Sequence, residues 1–417
     1  MAGPSRVDVV IVGAGAAGLA AAKSARDRGL TTIAFEAMNR IGGRAYTDHR
    51  TLEFPWDAGC HWLHSASINP FTRFADAEGF RYKSSPTPWR SWLDGRLTTI
   101  EDEAAIDAFI EASMAAALRC GHEGVDVPLA DVVDIDSPYL DVLRFLVNAE
   151  WGVDFRAAST LDASRYLDTD ENWPVEDGYG ALIARAAEGV PVELNTPVER
   201  IVWSPSGVRV MTAKGTVEAA AAIVTASTDV LAGDVIEFDP PLPLWKQEAF
   251  AAVPLGRANK AGLRLDQKAL GDVEEQSIAV QIAPGTMIGL RLRPFGRSLA
   301  DVYLAGPMCA ALEVEGEPAM IEAAVGALEA VLGSQTRRQI TGTIASNWTS
   351  EPYIRGAYAA ARPGCADKRG DLGVPIEGRL FFAGEATSPE FFSTAHGAWA
   401  AGVAAAEAVA TAVQPRR

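Results

Sequence analysis

Three glycines and one acid near the start of the chain have the spacing of a dinucleotide-binding turn. Gly13, Gly15 and Gly18 follow residues 7–12, an apolar and β-branched run that predicts a buried strand. The first glycine allows a tight turn, the second lets a pyrophosphate approach the backbone, and the third lets the next helix pack closely. Glu36 ends the second predicted strand, where a carboxylate accepts hydrogen bonds from ribose hydroxyls and repels a 2′-phosphate. The pattern predicts a dinucleotide other than NADP.

A second segment directly after the acid combines two glycines with two guanidinium groups. Arg40, Gly42, Gly43 and Arg44 stand in the run Arg-Ile-Gly-Gly-Arg. The glycines allow close backbone approach, and an arginine can clamp phosphate oxygens bidentately. Together with Glu36, the run resembles the ExxxRxGGR segment of the flavin-containing amine oxidase superfamily. This resemblance implies that the dinucleotide is FAD.

The end of the chain resembles the last flavin-binding motif of the same superfamily. Residues 380–387 read Leu-Phe-Phe-Ala-Gly-Glu-Ala-Thr and are followed by the Thr-Ala-His-Gly-Ala run that begins at Thr394. The resemblance implies that Gly384 lets the backbone approach the cofactor and that Glu385 binds its ribityl or phosphate region. A helix is expected to begin near Thr394 and Ala395. Its N-terminus would stabilise a reduced, anionic flavin because helix N-termini carry partial positive charge.

The same resemblance implies roles for several residues between these motifs. The residue at Val198 supplies backbone contacts to the adenine, and Trp348 places an aromatic face near the flavin. Lys260 matches the family lysine that reaches flavin N5 through a water. A desolvated amine at that place can position water or relay a proton.

A short segment around His64 is similar to the Gly-x-x-Trp-(Ile/Val)-(His/Glu) segment of polyamine oxidases. The similarity places His64 near the substrate amine, where a neutral imidazole can accept a hydrogen bond from a protonated nitrogen. His61, in the same segment, is interpreted as structural. Glu171 or Glu176 is a candidate partner for a distal ammonium.

Two positions distinguish the monoamine oxidases of this superfamily, which have an aromatic cage of two tyrosines, from its other members. Tyr358 falls on one wall of the aromatic cage of monoamine oxidases, but Thr394 stands where those enzymes have the opposite tyrosine. This departure favours the polyamine oxidases and histone-lysine demethylases, which carry the TxHGA form. Ala357 replaces the cysteine that links the flavin in monoamine oxidases, so FAD is expected to be non-covalent.

Composition limits the classes of partner. The formal net charge of −17 argues against nucleic acid and favours approach of cationic small molecules, although acidity for solubility alone gives the same charge. No stretch is apolar and long enough to predict a membrane span. The four cysteines have neither CxxC nor metal-ligand spacing, so we expect reduced thiols, a cytoplasmic location and no bound metal. A homodimer is compatible with the sequence, which does not decide the oligomeric state.

The predicted fold class is α/β, with two domains. A Rossmann-like FAD-binding domain with a parallel sheet, discontinuous in sequence, is assigned to residues 1–75, 177–237 and 346–417, with strands expected at 192–198, 207–212 and 219–226. An inserted α+β substrate-binding domain is assigned to residues 76–176 and 238–345. The inserted parts predict strands at 260–265, 277–282, 286–292 and 301–304, and helices at 101–120, 129–153 and 317–332.

The predicted reaction is FAD-dependent oxidation of an amine. Hydride would pass from the carbon next to nitrogen to flavin N5, the imine would be hydrolysed to an aldehyde, and O2 would become H2O2. A polyamine-type substrate is favoured by His64 and by the Thr394 motif. The alternatives are a related flavin enzyme acting on an aromatic monoamine, alkaloid or amino acid, a desaturase, and a flavin-binding protein without catalysis.

Overall fold

Two large β-sheets built from distant segments of the chain dominate the structure. The computed structural model describes residues 5–271 and 273–413. The strands are β1 (Ser5–Val12), β2 (Thr32–Phe35), β3 (Thr47–Asp48), β4 (Trp56–Asp57), β5 (Trp62–Leu63), β6 (Trp89–Leu93), β7 (Arg96–Leu97), β8 (Trp173–Pro174), β9 (Val192–Glu193), β10 (Val198–Ser204), β11 (Gly207–Thr212), β12 (Gly215–Val224), β13 (Glu237–Asp239), β14 (Ala258–Leu265), β15 (Gln276–Ala283), β16 (Thr286–Leu292), β17 (Leu299–Ala305), β18 (Ile340–Ala345) and β19 (Leu380–Phe382).

The helices cover the faces of these sheets. The α-helices are α1 (Ala16–Asp27), α2 (Pro70–Glu78), α3 (Ile100–His122), α4 (Leu140–Trp151), α5 (Thr160–Arg165), α6 (Tyr179–Ala186), α7 (Thr228–Ala232), α8 (Leu244–Ala252), α9 (Gln267–Leu270), α10 (Gly306–Glu315), α11 (Glu317–Leu332), α12 (Lys368–Leu372) and α13 (Ala395–Ala412). Short 3₁₀ turns occur at Leu129–Asp131, Pro294–Gly296, Ser334–Gln339 and Glu385–Thr387.

The first sheet has the order β13-β10-β11-β12-β1-β2-β9, and β19 also pairs with β12. Strand β1 lies parallel to both β2 and β12, as a Rossmann-like unit requires. The long strand β12 pairs antiparallel with β11 through its first half and parallel with β19 through its last residues. The predicted parallel sheet is therefore confirmed around β1, and an antiparallel meander of β10, β11 and β12 extends it.

Small residues let two helices pack tightly beside this sheet. Helix α1 is Ala-rich, and α13 contacts it along much of its length. A Cβ atom on Gly402 of α13 would collide with the carbonyl oxygen of Ala17 in α1. One on Gly18 would collide with the carbonyl oxygen of Gly13. Gly18 and Gly402 thus both allow two backbone segments to approach closely, which a larger residue would prevent.

The second sheet has the order β18-β14-β17-β16-β15-β6-β7 and separates two kinds of side chain. Side chains alternate between the faces of a strand. One face packs its aliphatic residues against helix α11, forming a core with Met320, Ala324 and Leu328. The opposite face carries charged, aromatic and small residues: Ser91, Lys260, Ala279, Gly289, Arg291, Asp301 and Tyr303.

Most of the predicted elements are confirmed, with two local exceptions. The four strands of the inserted part and helix α11 are present as expected. The helix predicted for residues 129–153 is instead a 3₁₀ turn followed by α4, because Pro138 disfavours helical backbone at the residue before it. The strand expected at 192–198 is interrupted where Asn195 adopts a left-handed φ of 49°.

The domain assigned to one segment from the sequence differs from the domain against which that segment packs. Residues 238–255 were placed in the substrate domain by the sequence. In the structure Phe250 and Val253 pack into the core of the first sheet, together with Val10 and Val224. An apolar helix after a β-strand does not by itself show which of two sheets it covers.

We predict that Gly402→Ala destabilises the protein by about 1–3 kcal/mol, because the added methyl overpacks the contact between α1 and α13. Gly326→Ala is the matched control, since a Cβ at this position of α11 meets nothing within 4 Å. That control should gain up to about 1 kcal/mol from helix propensity. Thermal unfolding of both variants measures the difference, and equal midpoints would contradict the packing argument.

Candidate active site

A cavity of about 720 Å³ lies between the first sheet and the charged face of the second. It brings together motifs separated by most of the chain length. Of the residues selected from the sequence, these line it: Gly13, Gly15, Glu36, Gly42, Gly43, Arg44, His64, Val198, Lys260, Trp348, Tyr358, Gly384, Glu385, Thr394 and Ala395. Gly18 and Arg40 do not.

The acid at the end of β2 is fixed by backbone donors. Glu36 accepts hydrogen bonds from the amide of Ala14 at 2.6 Å and from the amide of Met38 at 2.8 Å. Burial raises the pKa of the Glu36 carboxyl, and the two amides oppose that rise. A carboxylate held in this way keeps lone pairs available for ribose hydroxyls.

The first and last cofactor motifs are joined by an ion pair. Arg44 lies 2.9 Å from a carboxylate oxygen of Glu385 and also donates to the carbonyl of Ala357. The other oxygen of Glu385 accepts the amides of Ser393 at 3.0 Å and Ala359 at 3.3 Å. Glu385 therefore shapes the cavity by fixing two backbone segments and the side chain of Arg44 around it.

Arg40 differs from its expected role. Its guanidinium lies over the ring of Tyr46, 4.2 Å from the centroid, and donates to the carbonyl of Gly43 at 2.7 Å. Arg40 thus supports the glycine loop from outside the cavity. Gly18, where the sequence predicted close helix packing, lies beneath the turn at Gly13. Sequence spacing shows that a residue belongs to a loop, but not which way its side chain points.

The start of helix α13 faces the cavity. Thr394 is its N-cap, and the hydroxyl accepts the amide of Gly397 at 3.0 Å while donating to the carbonyl of Phe391 at 2.7 Å. The helix that follows has 18 residues, so its N-terminus has a substantial partial positive charge. Ser393, just before the cap, is held at a φ of 64°, which turns the chain into the helix.

Lys260 is buried and held by two acceptors. Its ammonium donates to the carbonyl of Asp57 at 2.8 Å and lies 3.1 Å from a carboxylate oxygen of Asp301. The indole of Trp56 donates to the other oxygen of Asp301 at 2.9 Å. An ammonium has three donors, so one remains for a group inside the cavity. Asp301 was missed by sequence reasoning, although a lone acid within the apolar strand β17 was a usable signal.

Two histidines in the cavity wall are neutral. The Nδ1 atom of His64 lies 2.6 Å from Oδ1 of Asn172, so Nδ1 carries the proton and Nε2 is left as an acceptor. Burial lowers the pKa of His64. Burial, together with the positive charges of Lys260 and Arg291, also holds the pKa of His61 well below its usual value. Asn172 could not have been chosen from the sequence, because no motif links it to His64.

A pair of tyrosines links strand β17 and the loop after β18 to helix α4. The hydroxyls of Tyr303 and Tyr358 are 2.6 Å apart, and both contact the carbonyl of Ala149. Burial raises the pKa of both phenols, so each remains protonated. Tyr303 was not selected from the sequence, since its proximity to Tyr358 depends on the pairing of distant strands.

Three acids form a cluster at the C-terminal end of α4. Glu150, Asp168 and Asp170 all line the cavity. Surrounding protein and the charges of the two aspartates raise the pKa of Glu150 to about 8. Because Glu150 faces the cavity and is not packed in the core, its desolvation is complete only when a ligand displaces the water.

The two acids proposed from the sequence for a distal ammonium lie elsewhere. Glu171 accepts the amide of Ser67 at 3.3 Å, and Glu176 lies 2.8 Å from Arg81 in an ion pair. Neither lines the cavity. The acidic cluster of Glu150, Asp168 and Asp170 lines the cavity instead.

Comparisons with known proteins identify the family of this chain. The family described as flavin containing amine oxidoreductase matches residues 130–410, and an NAD(P)-binding Rossmann-like domain matches residues 11–77. The chain belongs to the flavin-containing amine oxidoreductase family. The resemblance found in the sequence is thereby confirmed.

Individual relatives cover nearly the whole chain. Polyamine oxidase 4 of Oryza sativa subsp. japonica is 27% identical over 96% of this chain and 88% of its own length. Polyamine oxidase 2 of Arabidopsis thaliana is 28% identical over 96% and 87%. Lysine-specific histone demethylase 2 of Homo sapiens is 25% identical over 96% of this chain but 53% of its own length. A putrescine oxidase redesigned in its cofactor binding has the same fold, with a TM-score of 0.79 at 20% identity over 98% of this chain and 99% of that one.

The protein is a flavin-dependent amine oxidoreductase, and its cofactor is FAD. The residues present fit this group, since one cavity holds the glycine turn, the acid at Glu36, the guanidinium of Arg44 and the start of α13. No described helix has both the length and the apolar character needed to cross a bilayer. Residues 5–271 and 273–413 contain no group of side chains able to hold a metal ion.

We predict that Lys260→Met leaves FAD bound but slows flavin reduction or reoxidation by about 10²- to 10⁴-fold, as loss of a positioned donor does. Stopped-flow absorbance measures the two half-reactions separately. Lys23→Met is the control, because Lys23 lies on the exposed face of α1 in an ion pair with Asp27. Unchanged rates in both half-reactions would remove Lys260 from the mechanism.

Proposed function

We propose that the protein oxidises a polyamine-type substrate, an amine with a second cationic nitrogen. Hydride leaves the carbon next to the reacting nitrogen, and water hydrolyses the resulting imine to an aldehyde and a smaller amine. Bound FAD supplies the hydride acceptor and passes two electrons to O2, which gives H2O2. The other tasks fall to side chains of this chain.

The observation that carries the proposal is the acid cluster of Glu150, Asp168 and Asp170. Three carboxyl groups facing one cavity suit a ligand with a positive charge away from its reacting nitrogen. A monoamine would leave them without a counter-charge. The net charge of −17 also favours the approach of a polycation.

The reacting nitrogen must be neutral, because its lone pair assists cleavage of the adjacent C–H bond. Nε2 of neutral His64 is suited to accept the N–H of such an amine and orient it. Tyr358 and Thr394 both line the cavity, and a threonine takes up less of it than the tyrosine that monoamine oxidases have at the matching position. Lys260, held by Asp57 and Asp301, presents its third donor to the cavity.

Anaerobic bleaching of the flavin absorbance tests the function. The panel contains spermine, spermidine, their acetylated forms, putrescine, aromatic monoamines, cyclic alkaloid amines and amino acids. Rapid bleaching by polyamines, followed by H2O2 on admitting air, is the expected result. Bleaching only by monoamines or amino acids would reject the polyamine assignment, and no bleaching at all would reject amine oxidation by this site.

We predict that Glu150→Gln weakens diamine binding and removes part of its pH dependence. The surrounding protein and the two aspartates hold the pKa of Glu150 above its usual value, so below that raised pKa a bound dication must displace a proton from the carboxyl. Diamine affinity should therefore rise as pH increases towards 8, while the glutamine variant lacks this increase. Titration of the flavin spectrum with a slow substrate analogue measures the dissociation constants.

Glu176→Gln is the matched control for Glu150, because Glu176 is ion-paired outside the cavity. It should reproduce the wild-type pH profile. A Glu150→Gln profile that coincides with the wild type would show that this carboxyl does not meet the substrate.

We also propose that FAD is bound without a covalent link. Ala357 stands at the linking position and contacts Arg44 through its carbonyl, and it offers no thiol. Acid precipitation should release all of the yellow cofactor into the supernatant, whereas colour retained in the pellet would contradict the proposal. The cytoplasmic location expected from the sequence stays a prediction.

A further inference from the structure

The cavity continues beyond the tyrosine pair, along one face of helix α4. Val142, Phe145, Leu146 and Ala149 line it at the spacing of one helical stripe. Seven residues separate the first from the last, which corresponds to roughly 10 Å along the helix axis. The stripe ends at Ala149, whose carbonyl accepts the tyrosine hydroxyls and which precedes Glu150 in the chain. From Ala149 towards Val142 the stripe therefore leads away from the acids.

Apolar side chains also face this stripe from the other elements. Ile106 and Ile110 of α3, Ala279 of β15 and Trp89 of β6 line the same part of the cavity. The rings of Trp89 and Phe145 lie 5.8 Å apart. We call this part the apolar arm; its members are Trp89, Ile106, Ile110, Ala279, Val142, Phe145 and Leu146.

The absence of a side chain at Gly289 preserves the shape of the arm. A Cβ at this position of β16 would lie 3.1–3.2 Å from Phe145, Trp89 and Tyr303. Contacts this close would displace all three side chains. Glycine at this position therefore lets Phe145, Trp89 and Tyr303 converge over β16.

Charged groups near the arm have other partners or lie in solvent. Glu103 accepts the amide of Ser91 at 2.8 Å and the hydroxyl of Thr98. Asp107 is exposed on α3. Asp107 also lines the cavity but is solvated, and Glu103 is already hydrogen-bonded. An ammonium group placed between Val142 and Phe145 would therefore lose its water among apolar side chains, which is unfavourable. An alkyl or aryl group would gain by leaving water.

We propose that the apolar arm binds an alkyl or aryl substituent on the substrate, so that the preferred substrate is an N-substituted diamine. The reacting nitrogen lies beside the tyrosine pair, the second ammonium lies towards Glu150, and the substituent lies along α4 towards Val142. This inference rests on the proposed amine oxidation. It adds a second direction of recognition, opposite to the acid cluster.

A series of N-alkyl putrescines from methyl to hexyl tests the inference on the holoenzyme. Anaerobic bleaching gives a dissociation constant and a limiting rate for each member. The dissociation constant should fall about fourfold per added methylene until the arm is filled, as expected for burial of CH2 groups. From methyl to hexyl the limiting rate should change little, because the added methylenes extend along the arm, away from the reacting carbon.

Ile110→Asn should flatten this dependence on chain length, since it places an amide in the arm. Ile282→Asn is the matched control, because Ile282 is exposed on β15 outside the cavity. Leu146→Ala is a milder second variant that removes apolar surface without adding a polar group. It should reduce the gain per methylene even if the asparagine variant folds poorly.

The outcomes separate the two proposals. Bleaching by putrescine and spermidine with a dissociation constant that ignores the alkyl chain would overturn the apolar arm and leave polyamine oxidation intact. A chain-length dependence that survives in both arm variants would also overturn it. No bleaching by any member or by the parent amines would instead overturn the proposed function.

Discussion

The ion pair between Arg44 and Glu385 holds the cofactor half of the cavity together, because it connects segments from opposite ends of the chain. Glu385 also accepts two amides, from Ser393 and Ala359, so one carboxylate positions the start of α13 and the loop that carries Tyr358. A buried carboxylate is unfavourable without such partners. The folding of three distant segments around Glu385 satisfies this constraint and creates the site.

The second sheet supplies the other half of the cavity through simple alternation. Its aliphatic residues pack on α11, while Lys260, Asp301, Tyr303 and Arg291 occupy the opposite face. The same strands thus build a core and a reactive surface. A substitution on the face that packs on α11 would therefore affect stability, whereas a substitution at the next residue of the same strand would affect the chemistry in the cavity.

Charged groups are distributed unevenly along the cavity, so a bound ligand meets different charges at its different ends. The cationic groups of Lys260 and Arg291 share the carboxylate of Asp301 near the cofactor motifs. The acids around Glu150 lie at the end of α4, and uncharged surface follows along that helix. A ligand with separate cationic and apolar ends meets a matching environment at each end, whereas the neutral imidazole of His64 adds no charge between them.

The sequence by itself predicted a dinucleotide, because the residues that recognise one lie close together in the chain, and the resemblance of its Arg40–Arg44 segment to the family implied FAD. Gly13, Gly15 and Glu36 are separated by one strand–helix–strand unit whose geometry is local. The strands and helix α11 of the inserted part could likewise be predicted, since hydrophobic period follows from local backbone geometry.

Only the tertiary structure decided which side chains share the cavity. Asp301, Tyr303, Asn172 and Glu150 acquire their partners through the pairing of distant strands and the packing of α4, which no local pattern specifies. The same reason explains why Arg40 stacks on Tyr46 outside the cavity lining, and why Glu150 lines the cavity while Glu171 does not. Side-chain direction within a loop, and the neighbour across a sheet, are set by contacts between segments that are far apart in the sequence.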